Sequence, residues 1–218
     1  GARHRDTRNG MGDSPTRVAQ LRRGLDLVSH PGWVRRVPIA GKPLTFGNLA
    51  EVVPGARTPE DFKEWVDAQF DPSVTWDDIA WVRENWKGKL VVKGVLDPED
   101  ARKAVDAGVD GVVVSNHGGR QLDAVPSTAA ALPGVAEAVG DETTVLADGG
   151  IRNGLDMVKM LALGAEAVII GRAWAWAVAA EGQTGVEKML RVLKSDADVA
   201  LALTGQNSVA GLGPDSLV

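Results

Sequence analysis

At 218 residues, with 44% hydrophobic and 24% charged side chains, the chain has the composition of an ordinary globular protein with one sizeable core, which excludes fibrous and wholly disordered classes. It contains no cysteine, which removes disulfide and thiolate chemistry, and with three histidines it offers little for a structural zinc site. The formal charge of −5 is unevenly spread, and no apolar run approaches the ~20 residues that cross a bilayer.

Residues 1–43 hold nine lysines and arginines against Asp6, Asp13 and Asp26; this net of +6 leaves −11 on the remainder. A basic segment on an acidic body predicts attraction to an anionic surface, lipid headgroups first, with a solvated loop as the alternative. The chain opens at a glycine in a polar, basic run, so a piece of a longer protein is expected. Breakers recur through this region (Pro15, Pro31, Pro38, Pro43, Pro54, Gly55), and Val18, Leu21, Leu25 and Val28 alone keep helical spacing. His30-Pro31-Gly32-Trp33 reads as a turn. The expectation is a long loop region over 1–57, of the kind that tends to be functional, and a separate body over 58–218.

From Thr58 the signals sharpen. Thr58-Pro59-Glu60-Asp61 places an N-cap, a proline and two acids at a helix start, and Phe62, Trp65, Val66 and Phe70 follow on one face. Thr75-Trp76-Asp77-Asp78 opens a second helix with a variant capping box. A regular alternation comes next. Residues 90–95, 112–114, 144–148 and 167–170 are apolar runs that predict strands. Helices are predicted from Asp97-Pro98 to Gly108, over 127–139, from about Leu155 to Leu163 and over about 173–203. Strand and helix in alternation mean parallel pairing with right-handed crossovers, and runs apolar throughout predict strands covered on both faces.

A doubly wound sheet and a (β/α)8 TIM barrel share this pattern. The placement of Lys93, His117, Asp148 and Arg172 at or beyond strand C-termini favours the barrel, whose sites form there. Residues 89–172 would then be its last four β/α units.

The chemistry concentrates in Ser115-Asn116-His117-Gly118-Gly119-Arg120-Gln121-Leu122-Asp123, directly after the run Gly111–Val114. An imidazole moves protons near neutral pH. A guanidinium three positions on can grip a carboxylate bidentately, and the paired glycines let the backbone lie close to a ligand. Together they suggest a small carboxylic acid from which a proton is taken. Asp148-Gly149-Gly150-Ile151-Arg152 and Ile170-Gly171-Arg172 follow the last two strands, where barrels seat phosphate on backbone N–H groups and arginines. Ion pairs of Arg152 and Arg172 across the barrel rim are the alternative. Lys93, read as ending an apolar strand, needs a negative partner, and a ligand atom could supply one.

The nine residues 115–123 resemble the active-site signature of the FMN-dependent 2-hydroxy-acid dehydrogenases and oxidases. The likeness extends across the chain through His30-Pro31-x-Trp33, Gly47-Asn48, Thr75-Trp76-Asp77-Asp78, Asp97-Pro98-Glu99-Asp100-Ala101-Arg102 and Asp215-Ser216-Leu217, towards the bacterial respiratory members that oxidise L-lactate.

The resemblance implies an FMN-binding barrel that oxidises an L-2-hydroxy acid, most simply L-lactate to pyruvate, and passes electrons to quinone. Related hydroxy-acid oxidases, mandelate dehydrogenases and a catalytically silent half-barrel are the alternatives. His117 becomes the base, taking either the hydroxyl proton as hydride leaves or the α-proton. Arg120 binds the substrate carboxylate, and Arg3, two positions after a glycine, is a second arginine near it. Lys93 lies against the flavin, Ser115 hydrogen-bonds the cofactor, and Asp148, Gly149, Gly150, Arg152, Gly171 and Arg172 complete its seat, with no metal. The resemblance further implies peripheral contact with the cytoplasmic face of the inner membrane through the loop region, a homo-tetramer, and no nucleic-acid partner. The family's active-site tyrosines and the aspartate that orients its base have no counterpart in this chain, which contains no tyrosine.

Overall fold

Four runs rich in β-branched residues pair as a parallel sheet in chain order: β1 (Val91–Val95), β2 (Gly111–Val114), β3 (Thr144–Asp148) and β4 (Ala167–Ile169). The coordinates are a computed structural model that describes residues 16–41, 46–53, 55–56, 59–122 and 124–217. Contacts divide the chain into two units, 1–73 and 74–218, whereas the sequence expectation placed the change after residue 57.

In the second unit, the helices before the last start after a short polar residue, and in three of them its side chain takes up an orphan N–H. α4 (Trp76–Asn85) follows Thr75, whose N–H and hydroxyl both donate to Asp78 Oδ2, at 2.7 and 2.9 Å. α5 (Pro98–Asp106) is capped by Asp97 Oδ1, 2.7 Å from the Glu99 N–H, with proline at the first helical position. Ser127 caps α6 (Thr128–Val139), and Asn153 caps α7 (Gly154–Ala162) by accepting from the Asp156 N–H at 2.8 Å. α8 (Arg172–Leu203) is not the single helix that its periodicity predicts. Its backbone leaves helical geometry at Glu181 and Gly182, and Gly182 takes the left-handed conformation at φ +59°.

The core lies on one side of the sheet. Val112, Val114, Val145 and Ala147 pack with Ala101 and Ala104 of α5 and Leu132, Val135 and Val139 of α6, and Met160 of α7 joins them. Only β2 is buried along its whole length; β3 alternates, and Val91 of β1 and Ile169 of β4 are exposed. The expectation of strands covered on both faces is thus corrected for β1 and β4. They are the outer strands of the sheet, with a strand neighbour on one side alone. Lys93 is likewise not at the end of its strand. It is the middle residue of β1, and the register slips between Lys93 and Val95. A monotonic strand order is that of a barrel wall; a doubly wound sheet reverses its order at a switch point.

In the first unit, α1 (Arg17–Ser29) is capped by Thr16 Oγ1, 3.2 Å from the Ala19 N–H. Its expected apolar row forms, but Val18, Leu21, Leu25 and Val28 are exposed. His30-Pro31-Gly32-Trp33 does not stay a turn. α2 (Pro31–Val34) runs into a π-helical turn over Arg35–Ile39. α3 (Pro59–Gln69) buries Phe62, whose ring meets Phe46 edge to face at 5.5 Å, while Phe70 is exposed rather than sharing that face.

At the N-terminal end of the sheet, Asp110 ties three segments together. It accepts from Lys89 Nζ at 2.7 Å, Arg83 Nη1 at 3.0 Å and the Leu90 N–H at 2.9 Å. The hydrogen bond from Lys89, then that from Leu90, holds its carboxyl at about 2, below the ordinary 3.8. A lowered folded-state value contributes stability that is fully present above the unfolded value and is lost as pH falls through the folded one. The stability difference between wild type and Asp110→Asn, measured by urea unfolding, is therefore expected to be largest at neutral pH. It should shrink as pH falls from about 4 to about 2; a difference independent of pH would exclude this role.

Candidate active site

Beyond the C-terminal ends of the strands lies a cavity of ≈ 380 Å³. Its walls include Lys93, His117, Arg120, Asp148, Gly149, Gly150, Arg152, Gly171 and Arg172, from segments that are far apart in sequence. Parallel pairing in chain order brings them together, because every strand then releases its following loop at the same edge. Of the other expected site residues, Ser115 is buried beneath the cavity and bonded to Lys93, and Arg3 lies outside the described residues.

His117, Gly118 and Gly119 form a single 3-10 turn directly after Ser115 and Asn116. His117 adopts φ +55°, which is uncommon for a residue with a side chain and is concentrated at functional sites. Besides its own backbone bonds, from Gly119 to Asn116 and from Arg120 to His117, two side-chain contacts hold the turn. The His117 N–H donates to Ser115 Oγ at 3.0 Å, and Arg172 Nη2 donates to the Gly118 carbonyl at 3.2 Å. The His117 Nδ1 lies 3.5 Å from Gln121 Nε2, a neighbour that the sequence string contains but that received no role from it.

Below the turn sits a compact polar cluster. Lys93 Nζ is 2.6 Å from Asp148 Oδ2 and 2.9 Å from Ser115 Oγ, and the Ser115 hydroxyl donates to Asp148 Oδ1. Asp148 was expected with the phosphate seat, but its carboxylate is turned to Lys93 and Ser115. Its backbone, with Gly149 and Gly150, still forms the cavity wall.

Charge in the cavity is one-sided. Lys93, Arg120, Arg152 and Arg172 face one carboxylate, Asp148. Among the described residues no carboxylate pairs with Arg120, Arg152 or Arg172, so the alternative of rim ion pairs is not realised. The first turn of α8 has no side-chain cap, which leaves its N–H groups and the positive end of the helix dipole at the same opening. A second cavity of ≈ 520 Å³ shares the wall of Gly118, Gly149, Gly150 and Arg172 and extends between α6 and α7 to Leu217. The ionisable groups expected to do chemistry, Lys93, His117 and Arg120, open to the smaller one.

A strand-end histidine and arginine over a cationic, glycine-walled cavity define a flavin-type barrel site. The chain matches the family model for FMN-dependent dehydrogenases over residues 1–218 and belongs to that family. L-lactate dehydrogenase of Caulobacter sp. (strain K31) is 54% identical over 209 residues, covering 96% of this chain and 54% of the relative. L-lactate dehydrogenase of Pectobacterium atrosepticum is 51% identical over all 218 residues, or 56% of the relative. Among solved structures, the monotopic membrane protein (S)-mandelate dehydrogenase aligns over 99% of this chain and 56% of its own, with a TM-score of 0.84 at 37% identity. A mandelate oxidase variant carrying a monooxide FMN adduct aligns over 65% of this chain and 45% of its own, with a TM-score of 0.62 at 47% identity. The chain thus spans about half the length of the curated relatives it matches, as part of a (β/α)8 barrel.

The donor set fits FMN. Guanidinium groups that no carboxylate among the described residues pairs, and an open helix start, suit a phosphate dianion, and the volume of ≈ 380 Å³ falls within the range of about 300–1,000 Å³ usual for cofactor sites. Gly149 is the wall glycine at which a side chain meets both backbone strain and close neighbours. At φ +96° a Cβ there would sit 3.1 Å from Thr128 Oγ1 and 3.3 Å from Asn116 Oδ1. Gly149→Ala is expected to lower stability by about 1–3 kcal/mol through backbone strain alone, with weakened FMN uptake. Urea unfolding and fluorescence titration with FMN check it; an unchanged midpoint would count against the strained wall.

Proposed function

We propose that this chain carries the base and the cofactor seat of an FMN-dependent enzyme that oxidises an L-2-hydroxy acid, L-lactate to pyruvate. The observation that carries the reading is the opening of His117 and Arg120 into the same cavity as Lys93 and Arg172. FMN, when bound, supplies the acceptor for the two electrons that leave the substrate. Arg152, Arg172 and the start of α8 would hold its phosphate, and Lys93 would place a positive charge against the ring.

The residues then divide the work by charge. Arg120 holds the substrate carboxylate with two parallel N–H donors, which fixes the α-carbon relative to His117. The His117 imidazole accepts the proton that the 2-hydroxy acid must lose on becoming a 2-oxo acid. His117→Ala is expected to leave FMN bound, read from flavin absorbance, and to slow anaerobic bleaching by L-lactate by about 10²–10⁴-fold. Bleaching at the wild-type rate would remove His117 from the reaction.

The membrane-facing part of the reading rests on α1. Its exposed Val18, Leu21, Leu25 and Val28 run beside Arg17, Arg22 and Arg23, a composition suited to the interface of an anionic bilayer. No helix among the described residues is long and apolar enough to cross a membrane, so contact would be peripheral. The relative described as a monotopic membrane protein supports that placement. Peripheral contact with the cytoplasmic face of the inner membrane would bring the site to quinone, the proposed electron acceptor, and a homo-tetramer belongs to the same reading. The protein is expected to float with phosphatidylserine vesicles at low salt, less at high salt, and not with neutral vesicles. Absence from the lipid fraction at every salt concentration would rule the contact out.

A further inference from the structure

The two cavities meet at the His117 turn, and Gly118 and Arg172 line both. Arg172 begins α8 and reaches back 54 positions in sequence, giving Nη2 to the Gly118 carbonyl at 3.2 Å. The approach is close: a Cβ on Gly118, at φ +62°, would sit 3.0 Å from that nitrogen. A guanidinium carries five N–H donors in a planar fork, so one acceptor does not exhaust it. No carboxylate among the described residues takes the others, which share the opening with the uncapped start of α8. The turn on the far side of this contact carries both groups assigned to the substrate. The Arg120 N–H closes it on the His117 carbonyl at 3.2 Å, which ties the positions of His117 and Arg120 to that of Gly118.

We infer that Arg172 is a positioning residue for His117 that couples phosphate occupancy to the placement of the base: a phosphate in the seat fixes the guanidinium, and the guanidinium fixes the Gly118 carbonyl. The inference rests on the FMN reading above. With Gly118 as its one acceptor, the exposed Arg172 side chain is held by a single hydrogen bond, for which water competes. A phosphate dianion gives the same fork a second, charge-assisted anchor. His117 at φ +55° is strained, so the turn depends on such an outside hold. The coupling is reciprocal, and a turn already in place favours the anion by the same factor. A lysine at this position would keep the charge, but without the planar fork it would not hold both acceptors.

Titration of the cofactor-free chain with inorganic phosphate tests this by NMR. Phosphorus signals follow binding, and the His117 ring signals, told from those of His4 and His30 by their loss in His117→Ala, follow the turn. In the wild type, saturating phosphate is expected to shift the His117 ring signals. Arg152→Lys leaves the bridge intact; it should need more phosphate and show the same shift at saturation. Arg172→Lys should still bind phosphate through Arg152 and the start of α8, with the shift lost. An equal shift in Arg172→Lys would mean that the anion acts on the ring through its charge alone and would overturn the inference. Wild-type ring signals that stay put while phosphate binds would overturn it too, as would loss of the shift in phosphate-saturated Arg152→Lys. These last two outcomes decide the matter even where Arg172→Lys fails to fold. A wild-type protein that takes up neither phosphate nor FMN would instead refute the cofactor reading, an outcome seen before any variant is made.

Discussion

Strand register is the constraint on which the site depends. Val92 and Lys93 of β1 face Val112 and Val113 of β2, which face Val145 and Leu146 of β3, and Asp148 ends β3 opposite Ile169. In this register Lys93 and Asp148 point to the same side, and residues 22 and 33 apart in sequence come within hydrogen-bonding distance at Ser115. A slip of one residue in β1 would turn Lys93 to the opposite face. There it would meet Val112 and Val114, both fully buried, and an ammonium among them has no partner. The polar cluster is therefore a product of the register and also one of the interactions that select it.

The cationic balance of the cavity follows from the same geometry. Concentrating Lys93, Arg120, Arg152 and Arg172 costs stability through mutual repulsion, and the structure tempers this in two ways. Lys93, drawn from the strand itself, has its own carboxylate. The arginines come from loops and a helix start, where solvent screens them. Charge left uncompensated at the rim is available to an anionic ligand, whereas charge at the base of the cavity is held at a fixed position. A site meant to bind an anion and also to steady negative charge on a ring needs both arrangements.

Legibility in the sequence tracked how local each feature is. The four strands and their capped helices could be read because period and caps are set within a few residues: Asp97, Ser127 and Asn153 each bond a backbone N–H two or three positions on. His117 and Arg120 were legible for the same reason, being three positions apart in one string. The pairing of Lys93 with Asp148 was not. It needs strand order and register together, and from sequence alone Asp148 read as part of a phosphate loop. Exposure of β1 and β4 depends on what lies beside them, which their apolar runs do not encode. The helical turn after His30 and the break at Gly182 turn on backbone choices at proline and glycine, where the sequence allows more than one.

The turn that carries His117 shows how the fold sustains an unfavourable local geometry. A left-handed histidine costs about 1–3 kcal/mol, and it lies with Gly118 inside a turn closed by the Gly119 N–H on the Asn116 carbonyl at 3.0 Å. Two further bonds brace it: the His117 N–H to Ser115 Oγ, and, from a distant segment, the Arg172 guanidinium to the Gly118 carbonyl. A neutral hydrogen bond contributes about 1 kcal/mol net and one to a charged group about 1.5–3 kcal/mol, enough together to offset the strain. Ser115 is in turn fixed by Asp148, and Arg172 begins α8 beyond β4. His117 is thus held in place from β3 and from the segment after β4. That brace requires all four strands in order, which is why a signature of nine consecutive residues has its geometry only within the parallel sheet.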